Sequence, residues 1–186
     1  MNATGWIIVA IVVVAALIIA GALWSRRRRS EHLKDKFGPE YDRAVEAEGG
    51  RSKAEADLAE REKRVEKLDI RPLEPEERRQ FSQRWTDVQA RFVDDPARAV
   101  AFADALLGEV MKARGYPVSD FEQRAGDISV DHPKVVEHYR TAHDIAERHG
   151  RGEASTEELR QAMIHYRALF DNLVGVQAAA QPEPAH

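Results

Sequence analysis

The sequence predicts an all-α protein made of an N-terminal transmembrane helix, a charged helical stalk and a C-terminal bundle of about four to five helices. Three observations lead to this prediction. Residues 6–24 form an uncharged apolar run, and later apolar residues recur at helical spacings of three and four. No segment shows the alternation of a β-strand.

The net charge of the 186 residues is only −4, so the overall charge implies no general affinity for polyanions.

The apolar run, WIIVAIVVVAALIIAGALW, contains no charged or strongly polar side chain. A helix of this length spans about 28 Å, close to the roughly 30 Å of a bilayer core. Trp6 and Trp24 bracket the run at positions that suit the two membrane interfaces. A cleaved signal peptide is the alternative, but it needs basic residues before the run, and residues 1–5 contain none. The sequence therefore predicts a retained anchor at residues 6–24.

Four consecutive arginines follow the anchor. Positive charge beside a membrane span is retained in the cytoplasm, so we expect residues 1–5 outside and everything after residue 24 in the cytoplasm. Basic residues at this position also attract anionic lipid. A nucleic-acid patch is less favoured, because Glu31 and Asp35 follow and no aromatic residues are interleaved. The predicted membrane and lipid contacts are Trp6, Trp24, Arg26, Arg27, Arg28 and Arg29.

Residues 25–69 are predicted to be a basic juxtamembrane segment followed by a helical stalk. Ser30 is expected to cap a short turn, and Pro39 to begin a helix that two glycines at 49–50 end. The following helix carries an apolar stripe too narrow for a core of its own. This stripe either packs on the main domain or pairs with another chain. A short coiled-coil dimer is one form of such pairing, although the heptad pattern is not sustained. The stripe consists of Ala54, Leu58, Val65 and Leu68.

Prolines and capping residues divide residues 70–176 into the helices of the bundle. Pro75 and Pro96 each follow an acidic residue and suit the first position of a helix. Ser119 and Ser155 each have a glutamate three residues later, which is the pattern of a capping box. Residues 177–186 are predicted to be a disordered tail. The apolar faces predict a core that includes Trp85, Val100, Leu106, Leu107, Val110, Tyr139, Tyr166, Leu169 and Phe170.

No catalytic or cofactor motif is found in the chain. The absence of cysteine excludes disulfides, thiolate metal sites and a cysteine nucleophile. Two histidines of one helix bind a metal when they are three or four residues apart, and the histidines at 138, 143 and 149 do not meet this condition. Paired acidic residues at 76–77, 94–95 and 157–158 sit at helix starts, where capping explains them. We therefore predict no catalytic residue, no metal and no cofactor.

Three stretches of the chain resemble a known family: KLDIRPLEPEERRQFSQRWTDVQARFVDDPARAV, GYPVSDFEQRAGDISVDHPKVVEHYR and GEASTEELRQAMIHYRALF. They are similar to a family of bacterial single-span membrane-anchored helical proteins of actinobacteria and some proteobacteria, for which no activity is established. The resemblance covers nearly the whole chain after the anchor. It implies a bacterial inner-membrane setting, and it carries over no functional residues.

The leading functional hypothesis is a single-span membrane protein that presents a cytoplasmic helical bundle as a protein-interaction or scaffold module. Its expected partners are the lipid bilayer and other proteins, or a second copy bound through the stalk, and no nucleic acid is expected. The alternative is a membrane-tethered enzyme whose site is assembled across the bundle helices. A polar pocket with convergent His, Arg and Asp side chains would favour the enzyme.

Overall fold

The computed structural model describes residues 3–117 and 119–175, with side chains described from Val13 onward. Within these ranges the chain forms eight helices and no strand. The predicted tail at residues 177–186 lies outside the described residues. The helices are α1 (Ala3–Phe37), α2 (Pro39–Ala47), α3 (Arg51–Val65), α4 (Pro75–Arg91), α5 (Pro96–Ala113), α6 (Phe121–Asp131), α7 (Pro133–Gly150) and α8 (Thr156–Val174).

The first helix runs without interruption through the arginines and beyond them. The expectation that Ser30 caps a short turn is wrong, because Ser30 lies inside α1 and its hydroxyl donates to Oε1 of Glu55 at 2.6 Å. Arginine, glutamate and lysine are good helix formers. Arg27 also pairs with Glu31 one turn later, at 3.3 Å. The helix therefore continues until Gly38, whose φ of 50° ends it.

None of the helices in the described part of the chain is long and apolar enough to cross a membrane. This finding overturns the predicted transmembrane helix at residues 6–24 and the single-pass inner-membrane localisation inferred from it. The side chains of residues 6–12 lie outside the described residues. The apolar run continues directly into the arginines within the same helix.

The chain divides into two compact units, Met1–Leu58 and Ala59–His186. The first unit contains α1, α2 and the first half of α3. The sequence leaves open whether the apolar stripe of α3 packs within the chain or against a second copy. Three of its members, Ala54, Leu58 and Val65, are buried within the single chain. Their apolar surface is thus already covered, and pairing with a second copy through this stripe stays a prediction.

The second unit is built around α5 and α8, which carry the most buried residues. α8 packs against α7 and α5, α4 against α5, and α6 against α7. The rings of Trp85 and Phe170 stack with their centroids 4.6 Å apart. Burial of the apolar faces provides the main driving force for this packing. The core includes residues that the apolar periodicity predicts, namely Trp85, Val100, Leu106, Leu107, Val110, Tyr139, Tyr166, Leu169 and Phe170. The same periodicity also predicts Phe81, Phe92 and Phe102, which are only partly buried against this core.

Acidic and hydroxyl side chains cap the bundle helices close to the predicted positions. Asp95 accepts a hydrogen bond from the backbone N–H of Arg98 at 3.0 Å, and Ser155 forms the predicted capping box with Glu158. At α6 the prediction that Ser119 caps the helix is wrong by one residue. Asp120 caps this helix instead, because its carboxylate accepts from the N–H of Gln123 at 2.9 Å. Aspartate is as good an N-cap as serine, so the two neighbours compete.

The segment that follows α3 is fixed to the C-terminal end of α5. The backbone N–H of Arg71 donates to the carbonyl of Arg114 at 2.9 Å, and Nε of Arg114 donates back to the carbonyl of Arg71 at 3.3 Å. Gly115 lies directly beside this contact with φ at 101°. A Cβ atom at Gly115 would overlap the carbonyl oxygen of Asp69. The close approach of the two backbones therefore requires glycine.

The exchange of Gly115 for alanine should lower the free energy of unfolding by about 2–4 kcal/mol, because it combines an unfavourable φ with a backbone clash. Gly152→Ala is the matched control. Gly152 also has a positive φ, 77°, but the space around its Cβ position is empty. Urea unfolding should show a smaller loss for Gly152→Ala, and equal losses would contradict the close packing at Gly115.

A partly buried histidine, His132, joins the ends of three helices in the second unit. Nη1 of Arg114 lies 3.1 Å from Nε2 of His132 and donates to the carbonyl of Leu173 at 3.3 Å. A guanidinium can only donate, so Nε2 of His132 is the acceptor and the imidazole is neutral. Burial and the positive charge of Arg114 lower the pKa of His132, against the opposing effects of Asp131 and Asn172. Folding therefore favours the neutral ring.

Because the folded pKa of His132 lies below its unfolded value, the unfolded state takes up more protons as the pH falls. Stability should be highest above about pH 6.5 and should decrease as the pH drops through that value. Urea unfolding between pH 8 and 5 tests this dependence. His132→Gln should reduce the slope of the free energy of unfolding against pH. His149→Gln, which removes a histidine within α7, serves as the control. An unchanged slope in His132→Gln would contradict the assignment.

Candidate functional site

The candidate site is an open concavity of about 890 Å³ in the first unit, formed by the second half of α1 and the first turns of α3. Positions 26, 30 and 34 of α1 are four residues apart and share one face of the helix. Positions 51 and 55 do the same on α3. This spacing brings cationic side chains from two helices to one opening. The concavity is lined by Arg26, Arg27, Arg29, Ser30, Glu31, Lys34, Arg51, Ser52, Glu55 and Ala56.

The wall of the concavity is held by a hydrogen-bonded triad with one residue from each of the three helices. Oε1 of Glu55 in α3 accepts from the hydroxyl of Ser30 in α1 at 2.6 Å and from that of Tyr41 in α2 at 2.7 Å. Tyr41 is buried, and the ammonium of Lys34 lies 5.4 Å from the centre of its ring. The carboxylate therefore ties α1 and α2 to α3.

The charge state of the triad follows from these contacts. Burial acts to raise the pKa of Glu55, but the hydrogen bonds from Ser30 and Tyr41, with the charges of Arg51 and Arg29, outweigh it and lower that pKa. Burial chiefly raises the pKa of Tyr41, and the Glu55 carboxylate adds to the effect. Near neutral pH the triad thus consists of an ionised carboxylate and a protonated phenol.

The concavity is strongly basic. Five of its ten lining residues are cationic and two are acidic, which leaves three positive charges in excess. Both acidic residues already have partners, since Glu31 pairs with Arg27 and Glu55 accepts from two hydroxyls. Positive potential in a concave surface attracts anionic groups. The site therefore presents basic side chains to a negatively charged ligand.

Only some of the residues predicted to contact lipid line the concavity. Arg26, Arg27 and Arg29 line the concavity. The guanidinium of Arg28 lies over the ring of Trp24, 5.4 Å from its centre, and Trp24 itself is exposed. The side chain of the sixth residue, Trp6, lies outside the described residues. The structure does not test lipid contact for any of these residues.

Sequence reasoning missed the partners of these arginines. Arg51, Glu55 and Tyr41 belong to the same site, although 11 to 25 residues separate the members of the triad along the chain. The spacing of Arg51 and Glu55, one turn apart on α3, is a signal that could have been used. Their approach to α1 depends on the turn at Gly38, which no local pattern fixes.

A second polar cluster in the second unit consists of two buried tyrosines and a partly exposed ion pair, Arg124 with Asp104. The side chains of Tyr139 and Tyr166 are fully buried, and burial, with Asp104 as the next cause, raises the pKa of both phenols. Neither hydroxyl reaches a hydrogen-bond partner, and Arg124 lies 3.8 Å from Asp104.

Within the described residues, no three or more His, Asp or Glu side chains are grouped so that they could hold a metal ion.

Comparison of the chain with protein-family models, with curated proteins and with solved structures finds no match. The resemblance to the family of membrane-anchored helical proteins therefore stays a prediction.

The substitution Tyr41→Phe should weaken the first unit, because it removes one donor from the Glu55 carboxylate at a cost of about 1–3 kcal/mol. Hydrogen exchange of residues 39–58 should become faster. Tyr116→Phe is the matched control, since the Tyr116 hydroxyl donates to Asp131 at 2.8 Å in the second unit. Unchanged exchange of residues 39–58 in Tyr41→Phe would contradict the role of the triad.

Proposed function

We propose that the protein is a non-catalytic interaction module that binds an acidic segment of a partner protein in the basic concavity of its first unit. The observation that carries this proposal is the convergence of five cationic side chains from α1 and α3 on one open surface. A row of carboxylates on an extended or helical peptide could meet several of these cations at once.

Charge and composition favour an acidic peptide over a nucleic acid. Two carboxylates stand among the cations and would repel a continuous phosphate backbone. None of the ten lining residues is aromatic, so the concavity lacks the stacking platforms on which single-stranded nucleic acids bind. Carboxylates of a peptide are spaced by side chains of variable length, and they can avoid Glu31 and Glu55.

The roles of the polar residues in the second unit support a binding function over catalysis. The acidic residues at helix starts cap those helices, as Asp95, Asp120 and Glu158 do. Asp104 is paired with Arg124, and Nε2 of His132 accepts from Arg114. The caps, Asp104 and His132 thus make structural contacts. The proposal retains the predicted scaffold role of the helical bundle and leaves out the membrane anchor.

Fluorescence anisotropy of the full-length protein with a labelled decaglutamate peptide tests the proposal. We expect saturable binding that weakens as salt is raised, because salt screens exposed charges. A decaglutamine peptide should not bind. The double substitution Arg29→Gln/Arg51→Gln should weaken binding about 2- to 30-fold, since each exposed ion pair contributes about 0.2–1 kcal/mol.

The matched control is Arg79→Gln/Arg160→Gln, which removes the same charge from the second unit. Arg79 and Arg160 are exposed and pair with Glu76 and Glu157. Equal weakening by both double substitutions would show that only net charge matters, and the proposal would fail. Tighter binding of a labelled oligothymidylate than of decaglutamate at the same salt concentration would also contradict it.

A further inference from the structure

Two histidines of the second unit face each other across neighbouring helices. Nδ1 of His138 in α7 lies 2.9 Å from Nδ1 of His165 in α8. Their ring centroids are 5.1 Å apart and the planes meet at 29°. Both rings are partly exposed. In the neutral state one Nδ1–H donates to the other Nδ1, so the two rings must be different tautomers.

The backbone holds this pair in place. α7 and α8 are joined by the short segment 151–155 and pack closely along their lengths. The residues that follow the two histidines, Tyr139 and Tyr166, are fully buried. Because these neighbours fix both helices in the core, the distance between the two imidazoles is set by the fold. Two imidazole nitrogens in a fixed arrangement are a preorganised pair of metal ligands.

We propose that His138 and His165 form a two-histidine site for a divalent transition-metal ion, with Cu²⁺ and Ni²⁺ preferred. With metal–nitrogen bonds of about 2.0–2.1 Å, two nitrogens 2.9 Å apart subtend an angle of about 90° at the metal. This angle suits square-planar or octahedral coordination, which Cu²⁺ and Ni²⁺ adopt with nitrogen and oxygen ligands. Tetrahedral Zn²⁺ would require the nitrogens to move apart.

Binding needs no net release of protons from the neutral pair. The ion replaces the shared hydrogen bond, and the proton on one Nδ1 moves to Nε2 of the same ring, which is partly exposed and can donate to water. Water molecules complete the coordination, because the described residues provide no third ligand grouped with these two. Burial and the neighbouring His138 lower the pKa of His165, and the negative charge of Glu137 opposes both effects. The bound ion would link α7 to α8.

Isothermal titration of the full-length protein with NiCl₂ and with CuCl₂ tests the site. Even an outer-shell change at a metal site costs about 10–100-fold in affinity, so His138→Gln and His165→Gln should each weaken the strongest binding event at least tenfold. The double substitution His143→Gln/His149→Gln removes two other histidines of α7 and should leave that event unchanged. Equal affinity in the wild type and in both single variants would overturn the proposal.

A measurement on the unaltered protein guards against variants that fail to fold. Electron paramagnetic resonance of the full-length protein with one equivalent of Cu²⁺ should show hyperfine coupling to two imidazole nitrogens. The thermal unfolding midpoint should rise on addition of Ni²⁺, and the same addition should leave the midpoint of either single variant unchanged. Coupling to fewer than two nitrogens, or an equal rise in the single variants, would contradict the site.

Discussion

The ionised carboxylate of Glu55 is the contact on which the first unit depends. It accepts hydrogen bonds from Ser30 in α1 and Tyr41 in α2, and so it links the three helices of this unit beside the buried apolar side chains of Leu33, Phe37 and Leu58. Hydrogen bonds to a charged group are about twice as strong as neutral ones. The same contact brings Arg51 towards the arginines of α1. This one interaction therefore contributes both to the stability of the unit and to the arrangement of its cationic side chains.

The second unit is stabilised in a different way. Its helices bury broad apolar faces, and its polar side chains are used at the ends of helices and in the contact between Arg114 and His132. A rigid core of this kind places surface groups at fixed distances from one another. The pairing of His138 in α7 with His165 in α8 is one consequence. Each of these histidines lies next to a buried tyrosine, which holds its helix in the core.

Helix boundaries in the bundle could be predicted from the sequence because their signals are local. Proline at 75, 96 and 133 and the capping box at Ser155 each act within four residues. Neighbouring caps are harder to separate, as Ser119 and Asp120 show. The contacts of Ser30 with Glu55 and of His138 with His165 join residues 25 and 27 positions apart, and no periodicity in a single sequence reports such distances.

The predicted anchor is wrong, because no helix of the described residues is long and apolar enough to cross a membrane. Sequence reasoning treated the apolar run and the arginines as separate elements with a boundary between them. In the structure both belong to α1, and the arginine-bearing half of that helix forms one wall of the basic concavity. Helix propensity continues through arginine, glutamate and lysine, so a change in polarity along the chain is not by itself an end of a helix.

Hydrogen–deuterium exchange of the full-length protein, with and without saturating decaglutamate, tests whether an acidic segment occupies the basic concavity. We expect slower exchange in residues 26–34 and 51–56, with α4 to α8 unchanged. Protection confined to residues 75–174, or no protection at residues 26–34 when binding is saturated, would contradict it.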